Sequence, residues 1–310
     1  MRFTDIAGQE DAKAELKRAV ILPRKQPHLV AGEPTRGILL YGPPGTGKTE
    51  LAKAVATEGD STFFCVSVDD ILDKYVGNSE RTIKLLFEAA RARKPSVIFF
   101  DEVDSLSSKR KAGGGSSSNN GVVSALLTQM NGAAADNEGI LVLAATNLPE
   151  NLDPGIRRRF ETQIYVSLPD AEARKDLFRI RLRGTLVNLR DDQYEILSQL
   201  TEHFSGSDIG NVVRIALQKP QDVFLKSKYF KKVTGSSADD PSKICNDMWS
   251  PCEFNDSGAV AMNFEDVPTG KLARESAVAQ FDDLVESVKK VTPNSTLAEI
   301  AQYKAFQNRK

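Results

Sequence analysis

The chain has 310 residues, with 41 Lys and Arg against 42 Asp and Glu and a formal net charge of -1. That balance excludes a globally basic nucleic-acid coat and a polyanionic tail, since neither would have a one-signed field to work with. Hydrophobic residues at 40% and aromatics at 7% are ordinary for a globular protein, and no stretch approaches the roughly 20 apolar residues of a membrane helix. At about 150 residues per domain the length allows two domains. The opening residues carry acids and no apolar run, so no signal peptide is expected. Cys65, Cys245 and Cys252 lack CxxC spacing, so a reducing compartment and a cytoplasmic location are expected.

From residue 37 to about 165, short apolar runs alternate with helical patterns, the signature of a parallel sheet with crossover helices. The expected strands are 38–41, 63–66, 97–100, 140–144 and 163–166, and their unbroken apolarity argues for burial on both faces. Residues 48–57, 79–93 and 122–130 read as helices between them, and the Gly-, Ser- and Asn-rich run 112–121 as a flexible loop. Beyond Pro169 the pattern turns helical at 170–182, 193–200 and 208–217, with Asp170 and Asp208 at helix starts and Pro220 expected to end or kink the last one. Residues 228–267 are punctuated by Gly, Pro, Ser and Asn and read as a small β-rich insertion. Two closing helices are expected at 276–290 and 296–306.

Chemistry concentrates at the strand ends. Gly42-Pro43-Pro44-Gly45-Thr46-Gly47-Lys48-Thr49 matches G-x-x-x-x-G-K-[ST] between a strand and a helix, where backbone amides and the positive helix end wrap nucleotide phosphates. Lys48 would reach the β and γ phosphates and the Thr49 hydroxyl would bind Mg²⁺. About 50 residues on, an apolar strand ends in Asp101-Glu102, suited to hold the Mg²⁺ shell and to polarise the attacking water, respectively. Standing alone, such a pair is more often a capping or solvated feature; after a phosphate loop the functional reading prevails. Asn147 ends the strand through Thr146 and can orient that water, although an Asn before Leu148-Pro149 also suits a plain turn. The run Arg157-Arg158-Arg159 supplies guanidinium forks of the kind that stabilise charge on a transferring phosphoryl group.

Together these segments resemble the AAA ATPases over nearly the whole chain. Residues 19–23, 37–41, Lys74-Tyr75-Val76-Gly77, 156–165 and 205–209 look like the meiotic clade, and the insertion ending Ser250-Pro251-Cys252 with 262–268 resembles the β domain of those members that dismantle ESCRT-III filaments on membranes. The resemblance implies an α/β fold, a P-loop NTPase parallel sheet with crossover helices as the AAA large domain, at 1–168. It further implies a small helical domain at 169–227 and 269–295, a β-domain insertion at 228–268 and a C-terminal helix at 296–310. It implies ATP and ADP as nucleotides, Mg²⁺, and a homo-hexamer in which Arg157 and Arg158 reach a neighbour's nucleotide. Lys74, Tyr75 and Val76 would grip an extended chain in the pore, Asp5 and Ala7 would lie along the adenine, and Gly206 and Ser207 near the nucleotide. The implied partners are ESCRT-III filament subunits and a cofactor protein on the β domain, with no nucleic acid and recruitment to endosomal membranes only through other proteins.

Three departures accompany the resemblance. Residues 113–123 stand where relatives carry a charged second pore loop, and Asn120-Gly121 replace an arginine pair. Glu50 replaces an uncharged residue beside the phosphate site, which predicts weaker nucleotide affinity. The relatives' N-terminal microtubule-interacting and transport domain is expected to be absent. Two alternatives stay open. One is a microtubule-severing AAA protein such as katanin or spastin, which the near-zero net charge equips poorly for acidic tubulin tails. The other is an ATP-binding scaffold with little turnover, for which a complete hydrolytic set would be superfluous.

Overall fold

The protein was analysed as a computed structural model, which describes residues 1–29, 35–67, 71, 78–108, 117–131, 137–236 and 244–307. Five strands, β1 (Gly37–Tyr41), β2 (Thr62–Ser67), β3 (Ser96–Asp101), β4 (Ile140–Thr146) and β5 (Thr162–Tyr165), pair in parallel in the order β2-β3-β4-β1-β5. Leu40 lies opposite Ala145 on one side and Ile164 on the other, and Phe100 opposite Ala144.

The unbroken apolarity of the central strands follows from their two covered faces. Ile38, Leu40, Phe99 and Leu143 point into a layer with Leu51 and Val55 of the helix Lys48–Glu58 and Leu16 of the helix Glu10–Leu16. Their neighbours Leu39, Ile98, Phe100, Val142 and Ala144 point the other way, onto Ile83 and Phe87 of the helix Asn78–Ala92 and Leu126 of the helix Ser117–Asn131. A period of two in side-chain direction thus serves two cores at once, each buried side chain of Leu or Phe size contributing about 1.5–3 kcal/mol.

Strand order has a functional consequence. Because β4 is inserted between β3 and β1, the segments leaving all three strands emerge side by side at the C-terminal end of the sheet, where open parallel sheets bind ligands.

The chain divides into two compact units, Met1–Pro169 with Asn294–Lys310, and Asp170–Pro293. In the second unit the helices Ala171–Leu182, Asp191–Leu200, Gly206–Lys226 and Phe281–Lys290 enclose a core of Phe178, Leu197, Ile209, Val212, Ala216 and Leu284. Asp170 caps the first, its carboxylate accepting from Ala173 N–H at 2.8 Å. The insertion forms an antiparallel sheet in the order β7-β6-β8, from β6 (Tyr229–Ser236), β7 (Ile244–Pro251) and β8 (Val260–Ala261).

Four local expectations differ from the structure. The edge strands β2 and β5 are only partly buried, with Cys65 and Ser67 exposed, because each has a neighbouring strand on one side only. The run 112–121 is not a loop throughout: its residues 117–121 form the first turns of the helix Ser117–Asn131. Val122, Val123 and Leu126 bury the following turns, and a helix nucleated there extends without further apolar contacts. Of the two outcomes expected at Pro220, an end of the helix is not seen: the helix continues to Lys226, and the proline is buried between turns that Ala216 and Phe224 also bury, so packing offsets the missing N–H. The closing helix starts at Phe281 rather than 276, because the Asp283 carboxylate accepts from Gln280 N–H at 2.8 Å and fixes the first turn there. No helix among the described residues is long and apolar enough to cross a membrane.

Candidate active site

Gly42 leaves β1 with φ +151, and a Cβ built on it would stand 2.2 Å from the Val166 carbonyl oxygen, so only glycine fits this bend. Gly45 and Gly47 also take positive φ, at +72 and +94, and Gly47 precedes the helix that Lys48 begins. Inside the loop Thr46 Oγ1 donates to the Pro43 carbonyl at 2.9 Å. Lys48 is 8% exposed and donates to the carbonyls of Gly42 at 2.9 Å and Pro43 at 2.7 Å. Burial pulls its pKa down to about 8, against the opposing pull of Asp101, Asp104 and Glu50. Glu50, exposed in the first helical turn, contributes the last and smallest of these pulls. Pro43 is buried, whereas Pro44 and Gly45 face solvent.

Thr49 Oγ1 donates to Asp101 Oδ2 at 2.9 Å, joining the first helical turn to the end of β3. Next to it, Glu102 is exposed and held at φ +51, in the left-handed region that a glutamate rarely adopts. Its carbonyl is anchored by Ser105, whose N–H donates at 3.0 Å and whose hydroxyl donates at 2.8 Å, while Val103 N–H donates to the Ala145 carbonyl at 3.0 Å. Strain of this kind persists where the surroundings over-determine it, as these hydrogen bonds do here. Asn147 follows β4 directly, and its side-chain oxygen Oδ1 is buried with no hydrogen-bond partner among the described residues.

The remaining candidates are spread more widely. Arg157 ends the short helix Pro154–Arg157, capped by Asp153 through Gly155 N–H at 2.7 Å, and its guanidinium lies 4.4 Å from the ring centre of Phe306. Arg158 is exposed and lines a cavity with Arg36, Arg159 and Glu161. Asp5 closes a 3-10 turn, accepting from Arg2 N–H at 2.7 Å, and Ala7 is half-buried. Gly206 and Ser207 open the helix Gly206–Lys226 of the second unit, behind a cap in which Ser205 N–H donates to Asp208 at 2.8 Å. Lys74, Tyr75 and Val76 lie outside the described residues.

Comparison with known proteins bears directly on this arrangement. Residues 38–168 match the ATPase family associated with various cellular activities (AAA), and residues 249–309 match the Vps4 C terminal oligomerisation domain. The mouse vacuolar protein sorting-associated protein 4B is 45% identical over 309 residues, covering 99% of this chain and 69% of that protein. The chain is an ATPase of the AAA family. Its fold agrees, with a TM-score of 0.75 and 30% identity to the crystal structure of the FIGL-1 AAA domain, over 99% of this chain and 89% of that one. The Arabidopsis katanin p60 ATPase-containing subunit A1 is 42% identical over a smaller share, 83% of this chain and 50% of that protein. Within the AAA family the chain therefore stands nearer the vacuolar protein sorting-associated protein 4 group than the katanin subunit.

The residues at this AAA ATPase's phosphate loop fit a nucleotide with a divalent cation. Thr49 Oγ1 and Asp101 Oδ2 are hard oxygens already adjacent, and Mg²⁺ characteristically takes one or two protein oxygens and completes its shell with water and phosphate. Among the described residues no cluster of three or more His, Cys, Asp or Glu side chains offers an all-protein cage instead. The unpartnered Asn147 Oδ1 supplies an acceptor at the sheet end where the phosphates would lie.

Four residues that sequence reasoning passed over also shape the site. Asp104 accepts from Thr146 Oγ1 at 2.6 Å, and the same hydroxyl accepts from Leu148 N–H at 2.9 Å, so the turn carrying Asn147 is pinned to the loop carrying Glu102. The spacing Asp101-Glu102-Val103-Asp104 held that signal. Gln9, at φ +60, donates from Nε2 to the Ser167 carbonyl at 2.6 Å and the Thr46 carbonyl at 3.5 Å, tying the N-terminal segment to the loop. Nothing local marks it. Tyr303 and Phe306, at helical spacing on a helix otherwise rich in Ala and Gln, reach Asn147 and Arg157.

Proposed function

We propose that the chain is the motor of a ring that uses ATP hydrolysis to extract subunits from ESCRT-III-type filaments in endosomal sorting and membrane remodelling. The observation that carries this reading is the hydrolytic set gathered at three adjacent strand ends, within a chain 45% identical to a vacuolar protein sorting-associated protein 4 over 99% of its length.

In this mechanism the loop amides and the start of the helix Lys48–Glu58 bind the phosphates, and Lys48 swings from the Gly42 and Pro43 carbonyls onto the β and γ phosphates. Thr49 and Asp101 would hold Mg²⁺, which would supply charge neutralisation for the transferring phosphoryl group. Glu102 accepts the proton of the attacking water, and Asn147 orients that water through its free Oδ1. Arg157 and Arg158 stabilise the transferring phosphoryl group in the site of a neighbouring copy, so turnover requires assembly, in a hexamer. Tyr75, with Lys74 and Val76, grips the extended filament subunit. The insertion 228–268 receives a cofactor protein, and recruitment to endosomes passes through partners rather than lipid.

Severing of an acidic polymer is the weaker reading, because a net charge of -1 provides little attraction to it. The substrate is tested by sedimenting preformed ESCRT-III filaments with the protein. With ATP the pelleted polymer should fall; polymer retained with ATP as without it would remove the filament from the proposal.

A further inference from the structure

The helix Leu297–Gln307 belongs to the same compact unit as the parallel sheet and turns Tyr303 and Phe306 onto its C-terminal end. Tyr303 Oη donates to the Asn147 carbonyl at 2.5 Å, and its ring stacks on Tyr165 with centroids 6.2 Å apart. Burial lifts the Tyr303 pKa to about 12, so the phenol stays a donor throughout the working range. One turn further on, Phe306 is 1% exposed and meets Tyr41, the last residue before Gly42, edge-on at 5.0 Å. The Arg157 guanidinium lies 4.4 Å from the centre of the same ring. Among the described residues no acid pairs with Arg157, so the face of this ring is what holds its guanidinium. Thus a single turn of helix grips both the main chain of Asn147 and the side chain of Arg157.

We propose that Tyr303 and Phe306 are positioning residues, Tyr303 for the Asn147 of its own site and Phe306 for the Arg157 offered to the neighbouring copy. The inference rests on the reading above in which Arg157 acts in trans and Asn147 in cis. Given that reading, the helix becomes a rigid link between the site a subunit owns and the site it completes. A shift of Asn147 as phosphate leaves would be passed to Arg157 over one helical turn, coupling successive hydrolysis events around a ring.

The test uses two full-length chains mixed to form rings. The donor carries Glu102→Gln, so it offers Arg157 but hydrolyses nothing; the acceptor carries Arg157→Ala, so it hydrolyses only with a donor beside it. Phe306→Leu keeps apolar volume against Tyr41 but removes the π face, and Tyr303→Phe keeps the ring and removes the O–H. Phe306→Leu in the donor should lower the kcat of the mixture about tenfold, the scale of a partly desolvated cation–π contact, and leave it unchanged in the acceptor. Tyr303→Phe should do the reverse, lowering kcat only in the acceptor. Phe306→Tyr in the donor should restore the rate, and KM for ATP should stay constant throughout. Equal losses on both sides, no loss on either, or loss of ATP-dependent assembly in light scattering would overturn the proposal. An inactive parent mixture, before either aromatic is changed, would instead sink the trans reading on which it rests.

Discussion

The phosphate loop and the C-terminal helix serve the same end of the sheet by opposite means. The loop works through its backbone: Gly42, Gly45 and Gly47 take positive φ, and a Cβ on Gly42 would stand 2.2 Å from the Val166 carbonyl oxygen, so the bend excludes a side chain there. The helix works through two side chains, Tyr303 and Phe306, arriving from 156 residues beyond Asn147. A backbone device binds the substrate and is all-or-none, whereas a side-chain device adjusts groups that already exist and can be weakened by degrees. Substitutions should therefore rank by which device they touch.

The largest effect belongs to Glu102, the proposed base that both devices serve. Glu102→Gln should cut turnover about 10²–10⁴-fold while nucleotide binding survives, read by steady-state kinetics beside fluorescent-nucleotide titration. Gly42→Ala comes next, combining a left-handed backbone cost of about 1–2 kcal/mol with the collision against Val166. Nucleotide affinity should drop at least about tenfold by the same titration, and an unchanged affinity would show that the loop's geometry is not the binding device.

A pH series sharpens the loop side. In the free protein burial holds the Lys48 pKa near 8, and bound phosphates raise it by supplying anionic partners. Binding therefore takes up a proton once the pH exceeds about 8, and affinity should fall by up to about tenfold per pH unit above that point. Below it the free protein is already protonated at Lys48 and the affinity should level off. Lys48→Met should bind weakly with no such slope.

The smallest effect lies on the helix side. Tyr303→Phe should cost about 1 kcal/mol in urea denaturation, the scale of one buried hydrogen bond, with the ring still packed on Tyr165. A loss as large as that of Gly42→Ala would erase the contrast between backbone and side-chain devices.

The same contrast explains what could be read from the residues beforehand. The strands, the phosphate loop and Asp101-Glu102 are contiguous patterns, and unbroken runs such as 97–100 declare burial on two faces without any knowledge of their neighbours. Asn147 was legible only because it ends a strand. Gln9, Asp104, Tyr303 and Phe306 escaped because each acts through a distant partner: Gln9 through Ser167, Asp104 through Thr146, the two aromatics through Asn147 and Arg157. Boundaries slipped where packing overrode local preference, as in the helix that runs through the buried Pro220. Low complexity likewise misled at 117–121, where composition says loop and the adjoining buried turn says helix.

The central proposal is that the catalytic set of this AAA ATPase is completed by a second copy, with Lys48, Thr49, Asp101, Glu102 and Asn147 at one sheet end and Arg157 and Arg158 acting on a neighbour's phosphates. The direct test is the specific ATPase rate measured against protein concentration. The account predicts a rate per chain that steepens as copies assemble and then levels off, with Arg157→Ala low at every concentration. A rate per chain that is flat across the series in the unsubstituted protein, or one that rises with concentration in Arg157→Ala, would contradict it.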